Sequence, residues 1–186
     1  MASVEFACRL ALVIVFGAAA VGKVRTARDR EAFRMSLVSL GWLAPAAAGP
    51  VAVAVVTAEM ACAFLLLVVS PPTFGFVCSA LFLTVLTAGL SYSSLRHVQV
   101  TCRCFGGRDT RVGAQQFARN AALILVAVVG ALSVTLHGTH GPMSGVARLL
   151  TVFVAAILAL GVLYGEELTY LVRGPERTAT QRPAAR

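Results

Sequence analysis

At 186 residues, with 58% of them hydrophobic and only 13% charged, the chain is too apolar for a soluble fold of its size. Soluble domains carry about 45–50% apolar and about 25% charged residues, and a mean hydropathy of +0.83 leaves apolar surface that lipid must cover. The formal net charge of +8 could point to nucleic acid. Its basic residues lie between apolar runs and lack interleaved aromatics, which argues against nucleic acid and reads as membrane topology.

The apolar runs, taken in order, predict an all-α polytopic transmembrane helix bundle of about five spans, a four-helix core plus one. Residues 1–172 form the transmembrane domain, and 173–186 form a polar, disordered tail rich in Arg, Pro, Thr and Ala. Val13 to Val21 could serve as a signal-peptide core, but Glu5 and the lack of a basic residue before Arg9 favour a retained first span. That span runs from about Phe6 to Val24, with Glu5 and Arg9 reaching for the interface and Lys23 and Arg25 anchoring its end. Ala18 and Gly22 form a small-xxx-small pair for close helix approach.

Arg25 to Ser36 is polar. Phe33, Leu37 and Leu40 give this region a weakly amphipathic helical pattern, the alternative being an ordinary basic loop. Apolar sequence then extends to Val69, too long for one untilted span. Pro45 and Pro50 offer breaks, so the second span is expected at about Pro50 to Val69, after a short interfacial or re-entrant piece. The second span holds Glu59, the one acidic residue deep in an apolar run, with Cys62 three residues on and on the same helix face. An intramembrane carboxylate must be protonated, paired or turned to an internal cavity. Glu59 and Cys62 are therefore candidates for a proton or redox site, and the structural alternative pairs Glu59 with Lys23 or Arg119.

The turn at Ser70 to Thr73 leads to a third span at about Phe74 to Tyr92, which contains Cys78. A fourth runs from about Asn120 to Leu136, and a fifth from Arg148 or Leu149 to Tyr164. Lone cysteines in apolar helices, such as Cys8 and Cys78, are usually small packed hydrophobes. His137 and His140 lack the further ligands that a metal site requires.

The polar loop between the third and fourth spans carries Thr101-Cys102-Arg103-Cys104-Phe105-Gly106-Gly107. A disulfide between cysteines one residue apart closes a strained ring, and strain makes such a bond labile. Arg103 between them, with Arg96 and Arg108 nearby, favours thiolates. The pair Cys102 and Cys104 is the candidate for thiol–disulfide exchange. A shared metal or iron–sulfur cluster needs two more ligands, which do not occur at useful spacing within one chain. No metal or other cofactor is called for. Electrons could pass from this pair through Cys62 toward Cys8 or Cys78 as a membrane dithiol relay.

Five spans put the segment after span one, the cysteine loop and the tail on one face. That face holds Lys23, Arg25, Arg28, Arg30 and Arg34, then Arg96, Arg103, Arg108, Arg111 and Arg119, then four tail arginines. The other face holds Arg9 and Arg148. The positive-inside rule therefore predicts a multi-pass cell-membrane protein with its N-terminus outside and the cysteine loop and C-terminus cytoplasmic.

Phe16 with Gly22-Lys23, Glu59, Cys102-x-Cys104-Phe105-Gly106 and Arg119-Asn120 together resemble the methylamine utilisation protein MauE family and the wider MauE- and DoxX-like membrane proteins, over roughly residues 6 to 136. The resemblance implies a helical membrane protein concerned with processing, transport or maturation of the disulfide-rich small subunit of methylamine dehydrogenase, beside a thioredoxin-like partner. By position it implies Cys102 and Cys104 as the reactive pair, with Glu59, Arg119 and Asn120 in support. The expected function is an integral membrane thiol–disulfide protein supporting maturation of an exported redox enzyme. Its partners would be the lipid bilayer, a thioredoxin-like protein and an exported disulfide-containing client. A non-catalytic scaffold or chaperone subunit and a small proton-coupled transporter using Glu59 are the alternatives.

Overall fold

The computed structural model describes residues 2–41, 43–95, 101–102, 110–111, 114–137 and 145–173. They form six helices: α1 (Ala2–Val24), α2 (Ala27–Val38), α3 (Pro45–Val68), α4 (Thr73–Leu95), α5 (Ala114–His137) and α6 (Gly145–Arg173). A two-residue antiparallel pairing joins β1 (Thr101–Cys102) to β2 (Thr110–Arg111), with Cys102 opposite Thr110. Helices α1, α3, α4 and α5 are each long and apolar enough to cross a membrane. At 1.5 Å per residue, the 24 residues of α3 reach about 36 Å, enough for a hydrocarbon core of about 30 Å.

Helix α1 is the hub and packs against α2, α3, α5 and α6, while α4 packs against α3 and α5. The predicted four-helix core plus one is therefore α1, α3, α4 and α5, with α6 laid on α1. The core joins Leu12, Val15 and Phe16 of α1 to Cys62, Ala63 and Leu66 of α3, Phe76 and Leu83 of α4, and Leu123 and Ala127 of α5. The outer faces present Val53, Phe64, Leu81, Leu125 and Phe153 as exposed side chains. In a bilayer they meet acyl chains, which is why such a surface is stable there and not in water.

Close approach depends on particular small residues. A Cβ on Gly75 would lie 3.0 Å from the backbone nitrogen of Leu66, so a glycine at 75 lets α4 start hard against the end of α3. A Cβ on Gly130 would collide with the ring of Phe76, which is fully buried. Gly130→Ala is accordingly expected to cost about 1–3 kcal/mol by overpacking, read as a lower unfolding midpoint of the detergent-solubilised protein. In α1 the buried small residues are Ala11, Ala19 and Ala20, whereas Ala18 is exposed. The expected Ala18–Gly22 contact is thus replaced by a face about one residue round the helix.

The segment after α1 is a helix, as its periodicity anticipates. Thr26 caps it, its Oγ1 accepting the Asp29 backbone N–H at 3.1 Å. Phe33, Ser36 and Leu40 turn inward, and Arg34 pairs with Glu31 on the exposed side at 2.9 Å. That hydrogen bond holds the Glu31 carboxyl below its usual range. Gly41, at φ 78°, occupies the left-handed region that ends the turn after α2.

Helix α3 begins at Pro45, not at Pro50. Pro45 occupies the first turn, where a missing N–H costs nothing, and Pro50 lies within the helix. Of the expected separate interfacial piece, Pro45 to Gly49 are therefore part of the second span, and Leu37 and Val38 end α2. Arg9 caps the end of α3. Its Nε donates to the Leu66 carbonyl and its Nη2 to the Leu67 carbonyl at 2.9 Å. These are carbonyls that the end of α3 cannot satisfy within the helix. Glu5, one turn away, is buried and lies 3.7 Å from Arg9.

Candidate functional site

Lys23, Glu59, Gln116, Arg119 and Asn120 converge near the end of the bundle where α1 finishes. Lys23 occupies the last turn of α1 and Glu59 lies past the middle of α3. Lys23 Nζ lies 2.6 Å from Glu59 Oε1, and each residue is 3% exposed. The pair realises the structural alternative read from the sequence and selects Lys23, not Arg119, as the ion-pair partner. Lys23 also donates to the Ala19 carbonyl at 3.3 Å and lies over the Phe33 ring, 5.3 Å from its centroid. Among the described residues, Glu59 Oε2 is buried without a hydrogen-bond partner.

This pair lies in the wall of a cavity of about 210 Å³. Phe16 and Lys23 of α1, Phe33, Ser36 and Leu37 of α2, Val51, Val55 and Glu59 of α3, Phe82, Leu86 and Gly89 of α4, and Gln116, Arg119 and Asn120 of α5 surround it. Asn120 Nδ2 donates to Thr87 Oγ1 at 3.1 Å, which ties the start of α5 to α4. Helices α3 and α4 touch where Gly75 meets Leu66 and are separated by the cavity along their other halves. The wall is apolar except at this one cluster, so charge placed there interacts through a low dielectric and is held strongly.

Of the sequence candidates, Glu59, Arg119 and Asn120 come together around the cavity. Cys62 does not join them. It is buried in the apolar core, with Cys8 and Cys78 packed against the same cluster. Cys102 lies on β1, which packs against α2, the helix that covers one side of the cavity. Cys104 lies outside the described residues, as do Arg103, Arg96, Arg108 and His140. Gln116 and Phe33 were missed as site residues, and so was the role of Arg9. The periodicity of α2 marked Phe33 as inward-facing, and the position of Gln116 one turn before Asn120 could have marked it as well.

The fold and site define a multi-pass helical membrane protein with a buried ion pair in an intramembrane cavity. The family model for the methylamine utilisation protein MauE matches residues 1–133, and the chain belongs to that family, as the ordered residue set anticipated. The match spans α1 to α4, both short strands and most of α5. No curated protein and no solved structure matches the chain.

Proposed function

We propose that this protein is an integral membrane thiol–disulfide protein that supports maturation of an exported redox enzyme, with Cys102 and Cys104 as the exchanging pair. The observation that carries the reading is the packing of the Cys102 strand against α2, a helix whose residues also line the Lys23–Glu59 cavity, in a chain of the MauE family. In the exchange, a thiolate of the pair attacks one sulfur of a partner's disulfide and expels the other as a thiolate. The second cysteine then attacks the mixed disulfide. The pair ends oxidised and the partner reduced, and the reverse sequence forms a disulfide in a client. A thioredoxin-like protein suits the first role and an exported disulfide-containing protein the second.

Cys62 is the residue that an electron path across the bundle toward Cys8 or Cys78 would use. Cys62→Ala and Cys78→Ala variants that keep full exchange would remove it from the mechanism. The basic residues place the Cys102–Cys104 loop on the cytoplasmic side in this reading. Single-cysteine forms at 102 and at 104, treated in intact cells with a membrane-impermeant maleimide, test the side. Labelling is expected only after the cells are opened, whereas labelling from outside would put the pair beside an exported partner and reverse the orientation.

The Lys23–Glu59 pair favours one second reading, proton-coupled transport. That reading requires uptake driven by a pH gradient and lost in Glu59→Gln.

A further inference from the structure

Helices α3 and α4 touch at Gly75 and part toward the end of the bundle where α2 lies, which leaves a slot between them. Val51 and Val55 line it from α3, and Val85, Leu86 and Gly89 from α4. Val85 is 69% exposed on the lipid side, so the slot is open to the hydrocarbon of the bilayer along its flank. We propose that it holds one acyl chain of an anionic phospholipid, with the phosphate at the Arg30 end of α2. The site stands whether or not the Cys102–Cys104 pair exchanges disulfides.

The polar cluster of the wall does not recruit the occupant. Lys23 is matched by Glu59 at 2.6 Å, and Asn120 donates to Thr87. Glu59 Oε2 and Arg119 Nε are themselves buried, as is Gln116, so none of them is offered to a molecule in the cavity. The surface that the cavity presents is nearly all carbon, from Phe16, Phe33, Leu37, Val55, Phe82 and Leu86. A hydrocarbon chain needs only such a wall, whereas a ring bearing carbonyls or hydroxyls would bury them unpaired at a cost.

Charge selects the headgroup. In the wall itself Lys23 and Arg119 outnumber Glu59, which favours an anion over a cation at this end of the bundle. On α2, Phe33, Leu37 and Leu40 line the cavity, and Arg30 continues their stripe one turn before Phe33. Arg30 is exposed, its Nη1 donating to the Val24 carbonyl at 3.4 Å. Arg25 and Arg28 are exposed nearby, while the two acids of the segment are engaged, Asp29 with Thr26 and Glu31 with Arg34. A guanidinium there matches a phosphate, and a chain behind that phosphate follows the stripe into the slot. A phosphatidylcholine would bring its own cation to the same arginines and is disfavoured.

The test places the full chain in phosphatidylcholine vesicles with a limiting amount of a phosphatidylglycerol whose acyl chain carries a diazirine, and maps the photo-crosslinks by mass spectrometry. Crosslinks are expected on Val55 and Leu86 of the cavity wall, falling as unlabelled phosphatidylglycerol is added. Val85→Phe, at the mouth, is compared with Leu81→Phe, one turn away on the same exposed side of α4 and not part of the cavity wall. Because both positions face lipid, neither change overpacks the core. Arg30→Gln is compared with Arg148→Gln, an exposed arginine at the start of α6. Crosslinking at Val55 should fall about tenfold in Val85→Phe, the size of one overpacking penalty. It should fall about fivefold in Arg30→Gln, the share of one basic residue at an anionic surface. Leu81→Phe and Arg148→Gln should label as the native chain does.

Equal labelling in Val85→Phe and Leu81→Phe would reduce the contact to the ordinary lipid around the bundle. Displacement by phosphatidylcholine as readily as by phosphatidylglycerol would remove the headgroup site. Displacement by inorganic phosphate alone would assign the arginines to a free anion, and displacement by a prenylated quinone but not by phosphatidylglycerol would give the cavity to another occupant. Each of these results overturns the proposal.

Discussion

Replacing Glu59 with leucine is expected to destabilise the solubilised protein by about 3–5 kcal/mol, because it strands the Lys23 ammonium in the bundle. The Ala19 carbonyl at 3.3 Å and the Phe33 ring face do not replace a carboxylate at 2.6 Å. Lys23→Met/Glu59→Leu should recover most of that loss, since well-packed apolar side chains often replace a buried ion pair at no cost. The double-mutant cycle, read from unfolding midpoints in detergent, isolates the pair's coupling. It also separates structure from function. A double variant that is stable but cannot support client maturation would assign the pair to the chemistry of the cavity. A single variant that costs under about 1 kcal/mol, the range of exposed pairs, would contradict the burial of Lys23 and Glu59.

The second large effect concerns the loop. Cys102→Ser and Cys104→Ser are each expected to abolish disulfide exchange while leaving the spans folded, because a lone thiol cannot resolve a mixed disulfide within its own chain. The two variants should differ in one respect. The one that retains the attacking cysteine should accumulate a mixed disulfide with its partner, visible as a higher-mass species under non-reducing conditions. If both variants mature the client as the native chain does, the pair only staples the loop and the protein is a scaffold.

How much was legible in the sequence depends on the range of each interaction. Spans are local, and the apolar runs marked four membrane helices and the α6 segment, although α3 and α5 start earlier than the expected Pro50 and Asn120 and α6 continues past Tyr164 to Arg173. Pro50 misled because a proline signals a break wherever it falls, whereas Pro45 had already opened the helix and α3 tolerates Pro50 near its start. The need for a Glu59 partner was legible from the cost of a bare carboxylate in lipid. The choice of Lys23 over Arg119 was not, since it depends on how far α1 and α3 slide past each other.

Arg9 reads as an anchor and acts as a cap on α3 for the same reason, a contact across 57 positions of sequence. The cavity was least legible of all. Its wall combines residues from five helices, and Phe33, Val55, Phe82 and Gln116 each look like ordinary packing in their own segment.

The most direct test of the central claim is the redox state of the Cys102–Cys104 pair in living cells. Cys8, Cys62 and Cys78, the free cysteines among the described residues, are replaced by alanine. The cells are quenched with acid, and the remaining thiols are tagged with a maleimide that adds measurable mass. Two populations are expected, doubly tagged and untagged, whose ratio shifts toward the oxidised form on a brief oxidant pulse and returns afterwards. A pair that stays doubly tagged throughout, with client maturation undisturbed, would contradict a thiol–disulfide role.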